Sequence, residues 1–334
     1  MGHFGIPNEL GEKPSGDPDA DARIFPTWDA RTSQDGTSMP DNASSTLPRR
    51  QLGRYLKEGR DAMGMTLEDA AQLMQWGKST LQRLERGQSD RVRDVDVREL
   101  CRIYGLDDDR TAALVGLARQ AAVKSWWHEF GDVIPANFSI YVGLEASAHR
   151  LTTYQPDLVP GLLQTADYTE VLARAANPDD TDSELDSRVR LKLQRQALIT
   201  RGTKPVRLEV ILHESVLRRV IGSPKIMAKQ LRHLADAGTR PNVCVRVLPF
   251  AAGMPTGDQI GPFVVLDFGV DSQGKSVEPT IVYAENYTGD MYSEKVGTVQ
   301  RYVQAYDIFQ RTSLDESSTR ILLRDAAREH ERER

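Results

Sequence analysis

The chain of 334 residues has only two cysteines, Cys101 and Cys244, and six histidines scattered along its length. Two distant thiols provide no disulfide framework and no metal-ligating cluster, and they read as buried free thiols of a reducing compartment. No apolar run approaches the roughly 20 residues that cross a bilayer. The N-terminus also lacks the apolar core of a secretory leader, so the expected setting is the cytoplasm. An excess of positive charge is missing too: 43 Lys and Arg stand against 48 Asp and Glu, a formal net charge of −5. That balance argues against a protein that coats nucleic acid along its whole surface.

The charge is unevenly spread. Residues 1–46 carry a net −5 and combine Pro, Gly, Ser and Asp with few apolar side chains. Such a composition cannot offset ordering entropy by burial, and an acidic disordered tail is expected. Residues 47–88 carry a net +3. This basic island suffices to neutralise several phosphates at one place.

Within the island, Leu67, Ala70, Ala71 and Met74, then Leu81 and Leu84, mark two short amphipathic helices. Thr66 and Asp69 have the spacing of an N-terminal cap and its acidic partner. The second helix starts near Gly77 and turns Lys78, Ser79, Thr80, Gln82 and Arg83 away from Leu81 and Leu84. Donors and acceptors on such a face can read base edges in a major groove. Upstream, Leu52, Tyr55, Leu56 and Met63 define a supporting helix decorated by Arg49, Arg50, Arg54, Lys57 and Arg60. Downstream, Val97, Leu100, Cys101 and Tyr104, then Leu114, Leu117, Ala118 and Ala121, supply two more. The expectation is an all-α five-helix domain over 47–123. Lys78, Ser79, Thr80, Gln82 and Arg83 would read bases, and Arg50, Lys57 and Arg86 would hold phosphates of double-stranded DNA.

Ser79, Thr80, Leu81, Arg83, Leu84, Glu85, Arg86 and Gly87 resemble the recognition-helix pattern of the xenobiotic-response-element (XRE) type of helix-turn-helix. That family usually carries Gln where Leu67 stands, Gly at Gln75, and Ser or Thr at Gly77, and Trp76 replaces a smaller aliphatic residue. The resemblance implies sequence-specific DNA binding. It also implies a homodimer, because one reader spans only a half-site and the second lies about 34 Å away.

A larger region follows over 124–315. Trp126, Trp127, Phe130, Phe138 and Tyr141 form an aromatic cluster that is read as core, and a helix is expected through Leu144, Ala148 and Leu151. A loop at Pro160–Tyr168 feeds a capped helix, and Val189, Leu193, Gln196 and Leu198 are placed on another, rich in Arg. Alternation at Val206–Leu212 and Val243–Val247 predicts strands, with helical runs at Val216–Ile221 and Ile226–Ala237 between them. Two further strands are expected at Phe263–Phe268 and Thr280–Glu285, then a long helix from Tyr292 to Phe309 and a charged helix or tail over 316–334. The fold class is therefore α+β: the five-helix domain, then a mixed α/β domain with an antiparallel-containing sheet.

This region resembles the C-terminal domain of actinobacterial WhiJ-like, or Scr-type antitoxin-like, regulators. The carrying residues include Trp126-Trp127, Leu144-Glu145-Ala146, Val159–Thr165, Arg195-Gln196, Leu217–Arg219, Val247–Phe250 and Val282–Glu285. The resemblance implies a regulatory domain that receives a small partner protein encoded nearby, in development or antibiotic production.

Some motifs point elsewhere. Gly269–Ser276 matches the phosphate-cradling G-x-x-x-x-G-K-S pattern, but Pro279 and a β-branched run follow where a helix must open, so a polar turn is expected. Asp267-Phe268-Gly269 lacks the companion motifs of a kinase. His213-Glu214 lacks the second histidine of a zinc helix, and Glu214 near Arg218 reads as an ion pair. No catalytic, cofactor or metal site is expected. The leading expectation is a cytoplasmic, nucleoid-associated transcriptional regulator. A partner-sequestering protein without DNA binding and a small-molecule-sensing regulator remain as alternatives.

Overall fold

The computed structural model describes residues 46–89, 92–122, 125–130, 133, 136–287 and 289–332, apart from the side chains of 128, 136 and 137. The acidic segment expected over 1–46 lies outside them except for Thr46, which opens the first helix.

Five helices form the N-terminal unit: α1 (Thr46–Ala62), α2 (Leu67–Leu73), α3 (Lys78–Glu85), α4 (Asp94–Ile103) and α5 (Asp108–Ala121). Leu52, Leu56, Ala70, Leu81, Leu84, Val97, Leu100 and Cys101 close one core between them, each at most a few per cent exposed. Most of the apolar positions read from the sequence lie on the buried or partly buried stripes of these helices, but Met63 falls beyond the end of α1 and is 50% exposed.

The second unit is built on a six-stranded sheet: β1 (Arg150–Gln155), β2 (Arg207–His213), β3 (Val243–Leu248), β4 (Phe263–Asp267), β5 (Ile281–Ala284) and β6 (Met291–Ser293), in the order β3-β2-β1-β4-β5-β6. β1, β2 and β3 pair in parallel, and β1–β4, β4–β5 and β5–β6 are antiparallel. β1 is the seam, with Leu151 opposite Leu208 on one side and Leu266 on the other. The connections between parallel strands are helical, as a parallel crossover requires. They are α7 (Ala166–Ala176), α8 (Asp182–Arg195) and the short α9 (Ala197–Thr200) before β2, then α10 (Ser215–Arg218) and α11 (Pro224–Ala237) before β3. Leu151, Leu208, Val210, Leu212, Val245 and Leu266 face these helices and α6 (Ala136–Ser147). Tyr154, Ile211, Phe263, Val265 and Val282 face the other way, against Tyr306 and Phe309 of α12 (Val296–Thr312). Alternate residues of each strand therefore serve two different cores.

The charged closing segment is α13 (Glu316–Arg332), and its Leu323, Ala326 and Ala327 are buried beside α11. Thr319 Oγ1 accepts from Val247 N at 3.1 Å, while Leu314 N donates to Val247 O. These bonds occupy backbone groups of β3 that an open sheet edge would present to another chain.

Four sequence expectations change. The helix drawn through Leu144, Ala148 and Leu151 ends at Ser147, and Leu151 belongs to β1. Its i, i+4, i+7 spacing is accidental, and the β-branched pair Thr152-Thr153 favours the strand. Tyr292 lies in β6, and the long helix begins only at Val296. The helix read through Val189, Leu193, Gln196 and Leu198 ends at Arg195, with Gln196 its cap and Leu198 on α9; on α8 the buried positions are Leu185, Leu191 and Arg195, whereas Leu193 is 40% exposed. Cys101 is buried, but Cys244 is only half-buried. Gly269–Ser276 is a turn closed by a bridge between Val270 and Ser276 and by Asp271 Oδ1 accepting from two backbone amides, with no helix after it.

Candidate nucleic-acid interface

The α2–turn–α3 unit is set by its own caps. Thr66 Oγ1 accepts from Asp69 N at 3.2 Å, and Asp69 Oδ2 accepts from Thr66 N at 3.0 Å, a reciprocal capping box. The Thr66 hydroxyl also donates to Asp69 Oδ2 at 2.7 Å, and this bond, with the one from Thr66 N, holds the Asp69 carboxyl below its ordinary pKa. At the other end of α2, Trp76 N donates to Ala71 O at 2.8 Å and Gln75 N to Gln72 O at 3.0 Å, with Gln75 at φ 56°. This is the Schellman closure, whose left-handed residue is usually glycine and whose next residue packs back on the helix. Gln75 fills the glycine position and Trp76 makes the packing contact, half-buried against the helical core. Two of the four departures from the family pattern, Gln75 and Trp76, are thus accommodated in this turn, while Gly77 beside them leaves α3 without a side-chain cap.

Two close approaches fix α3 against α1. A Cβ at Gly53 would lie 2.5 Å from Leu84 O and 2.6 Å from Glu85 O, so the helices touch backbone to backbone. A Cβ at Gly87, which ends α3 at φ 67°, would lie 2.8 Å from Arg50 Cα. Between them, Arg60 forms a buried two-pronged pair with Glu85 at 2.7 and 2.9 Å and donates to Met65 O at 2.7 Å. Arg60 therefore ties the bundle together rather than decorating its surface. Bidentate geometry and the extra carbonyl partner are what make a buried pair tolerable.

At roughly 100° per residue, Ser79, Gln82, Arg83 and Arg86 centre on the face opposite Leu81 and Leu84, with Lys78 and Thr80 flanking it. Ser79, Arg83 and Arg86 are exposed, Thr80 and Gln82 half-buried. Lys78 Nζ pairs with Glu68 at 2.9 Å, but both side chains are more than half exposed, and such pairs contribute little. Arg83, Arg86 and Lys57 are exposed and make no ion pair among the described residues.

Arg50 lies apart from this group. It pairs with Glu294, and its Nε stands 4.0 Å from Glu278 Oε1, which Arg54 also meets at 3.0 Å. Gln51 Nε2 donates to Val277 O at 3.0 Å in the same contact. The basic face of α1 is thus clasped by the segment that leads into β5. Burial outweighs both arginines in pushing the Glu278 carboxyl above its ordinary pKa, and burial lowers that of Arg50. Glu278 Oε2 and Arg50 Nε are buried without a hydrogen bond among the described residues, so the clasp is incompletely satisfied. Sequence reasoning missed Glu278 and Glu294, since neither belongs to a local motif and their partners lie more than 200 positions away.

His213 ends β2 and Glu285 follows β5, three strands away in the sheet and about 14 Å at the usual strand spacing, so they form no acid–base pair. His213 Nδ1 instead lies 2.7 Å from Ser215 Oγ, and Glu214 meets Arg218 at 3.5 Å. No helix among the described residues is long and apolar enough to cross a membrane.

A capped helix pair presenting a polar, cationic second helix, joined to a sheet domain, defines a helix-turn-helix protein of the DNA-binding regulator class. The family model described as a helix-turn-helix domain matches residues 51–114. A second model, described as a domain of unknown function (DUF5753), matches residues 138–325, more than half of the chain, and the chain belongs to that family. Neither a curated protein nor a solved structure matches it.

Proposed function

We propose that the protein is a sequence-specific transcriptional regulator that lays α3 in the major groove as one half of a homodimer. Lys78, Ser79, Thr80, Gln82 and Arg83 read base edges, and Lys57 and Arg86 neutralise phosphates. Arg50 joins them only when it leaves Glu278 and Glu294. The observation that carries this reading is the outward face of α3, where Arg83 and Arg86 stand exposed and unpaired among the described residues beside Ser79 and Gln82.

The C-terminal domain governs the reader through the clasp on α1. A small partner protein, encoded nearby in the manner of WhiJ-like regulators of development or antibiotic production, shifts the population between clasped and released forms. The reading assigns the protein no catalysis and places it in the cytoplasm, at the nucleoid.

The test is fluorescence anisotropy on the DNA upstream of its own gene across a salt series, with the Lys78→Ala/Arg83→Ala variant alongside. Selective, salt-sensitive binding lost in the variant is expected. Equal affinity of the variant for the same DNA overturns the assignment of α3 as reader.

A further inference from the structure

The C-terminal domain holds a cavity of about 430 Å³ bounded by α6, α7, α8, the 3-10 turn at Gly161–Leu163 and one face of β1, β4 and β5. That volume lies within the range of about 300–1,000 Å³ typical of small-molecule sites. Phe138, Leu158, Leu162, Leu172 and Tyr283 make its apolar wall. Its polar end is built from one face of α8, where Arg188, Lys192 and Arg195 repeat at i, i+4 and i+7, and from Glu145 of α6.

Three cations line the cavity, and two are already satisfied. Arg195 pairs with Glu145 through two bonds of 2.7 Å, and its guanidinium lies over the rings of Phe138 and Tyr141 at 5.1 and 5.6 Å. Arg188 is held by Asp180 at 2.5 Å and by Val133 O. Lys192 is the third. Its ammonium donates to Gln164 Oε1 at 3.0 Å, a neutral acceptor already shared with Thr169 Oγ1 at 3.1 Å. No described carboxylate comes within ion-pair distance of it. An ammonium has three donors, and an unpaired one in a desolvated site favours an anion beside it. Burial and the neighbouring Arg195 push Lys192 down to about 8 against the weaker opposing pull of Glu285, which still leaves it charged at neutral pH. Glu145 and Glu285, also on the lining, disfavour a dianion such as phosphate.

We propose that this cavity binds an amphipathic small-molecule carboxylate, with its carboxylate on Lys192 Nζ and its apolar body against Phe138, Leu158, Leu172 and Tyr283. The site stands independently of DNA binding. Two of its walls nevertheless belong to elements that meet the reader: α6 packs on α1, and the segment entering β5 carries Glu278.

The test uses the full-length protein at pH 7, with thermal shift and titration calorimetry on octanoate, decanoate, phenylacetate and 1-naphthoate, each against its primary amide. The expected result is saturable binding of at least one carboxylate, with its amide at least tenfold weaker. Lys192→Met and the cavity-filling Leu172→Trp should each weaken that carboxylate tenfold or more. Lys192→Arg should retain part of the response and covers the case in which Lys192→Met fails to fold. The unliganded Lys192→Met protein should melt at or above the parent temperature, because burial of the removed charge outweighs the pull of Glu285, which is not within ion-pair distance. Absence of binding by all four carboxylates, equal binding of acid and amide, or unchanged affinity in Lys192→Met overturns the proposal. A lowered melting temperature in Lys192→Met without carboxylate binding to the parent assigns the lysine to holding Gln164, and also overturns it.

Discussion

Replacing Glu278 by glutamine keeps the shape of the clasp on α1 and removes its charge. The carboxylate is 3% exposed, meets Arg54 at 3.0 Å and has Arg50 at 4.0 Å. A hydrogen bond to a charged group contributes about 1.5–3 kcal/mol. The lower half of that range applies, because Glu278 Oε2 makes no hydrogen bond among the described residues and burial opposes the charge. DNA that draws α1 out of the clasp must break the Arg54–Glu278 hydrogen bond and the longer Arg50–Glu278 contact together. Losing about 1.5–2 kcal/mol of competition corresponds to roughly a 10- to 30-fold gain in DNA affinity at about 1.4 kcal/mol per decade. One guanidinium transferred to a phosphate also steepens the dependence of log K on log salt by about 0.9. Anisotropy titrations of parent, Glu278→Gln, Arg50→Ala and the double variant measure both quantities. In the Arg50→Ala background the added salt slope should vanish, while the part of the gain that comes from the Arg54 bond should remain. Unchanged affinity and unchanged salt slope in Glu278→Gln would show that the clasp does not compete with DNA.

Gly53→Ala should destabilise the N-terminal unit by 2 kcal/mol or more, since its methyl must displace two backbone carbonyls of α3; a urea midpoint within error of the parent would contradict the close approach. Glu85→Ala strands the buried Arg60 and should cost about 3–5 kcal/mol, read by the same titration. Gln75→Gly should be neutral or stabilising by up to about 1 kcal/mol, because relief of the left-handed conformation opposes the greater freedom of the unfolded chain; a loss of stability would mean that the Gln75 side chain contributes more than its backbone costs. Lys192 releases its proton near pH 8 in the native state against 10.5 unfolded, so the unfolded chain binds more protons across that window. Stability should therefore rise with pH from 8 towards 10.5, by at most about 3 kcal/mol, and the rise should be absent in Lys192→Met. Unfolding titrations of both proteins at pH 7.5 and 9.5 measure the difference.

The reader was legible because its determinants are local. Thr66 and Asp69 are three residues apart, and the stripes of α2, α3 and α4 repeat within two turns. The same locality explains what was missed. β1 earns its strand conformation from β2 and β4, far along the chain, and its alternation is masked because Leu151, Thr153 and Tyr154 are all buried, on two different faces. Arg60 looked like one more basic residue until its partner on α3 was placed beside it. Lys192 sits in an Arg- and Lys-rich helix that reads as a solvated face, and only the fold turns it inward. The clasp couples residues near 50 to residues near 280 through complementary charge, which leaves no periodic trace in either segment.

The position of β1 also bears on how the molecule comes into being. All five helices of the reader are encoded by Ala121, whereas β1 cannot be flanked on both sides until β4 ends at Asp267. Contacts of such long sequence separation form late, and synthesis proceeds at about 5–20 residues per second. The reader therefore emerges from the ribosome roughly 7–30 s before the strand that completes the heart of the sheet, and Glu278 and Glu294 follow later still. Each new chain passes through an interval in which its DNA-facing helices are folded and its clasp does not yet exist.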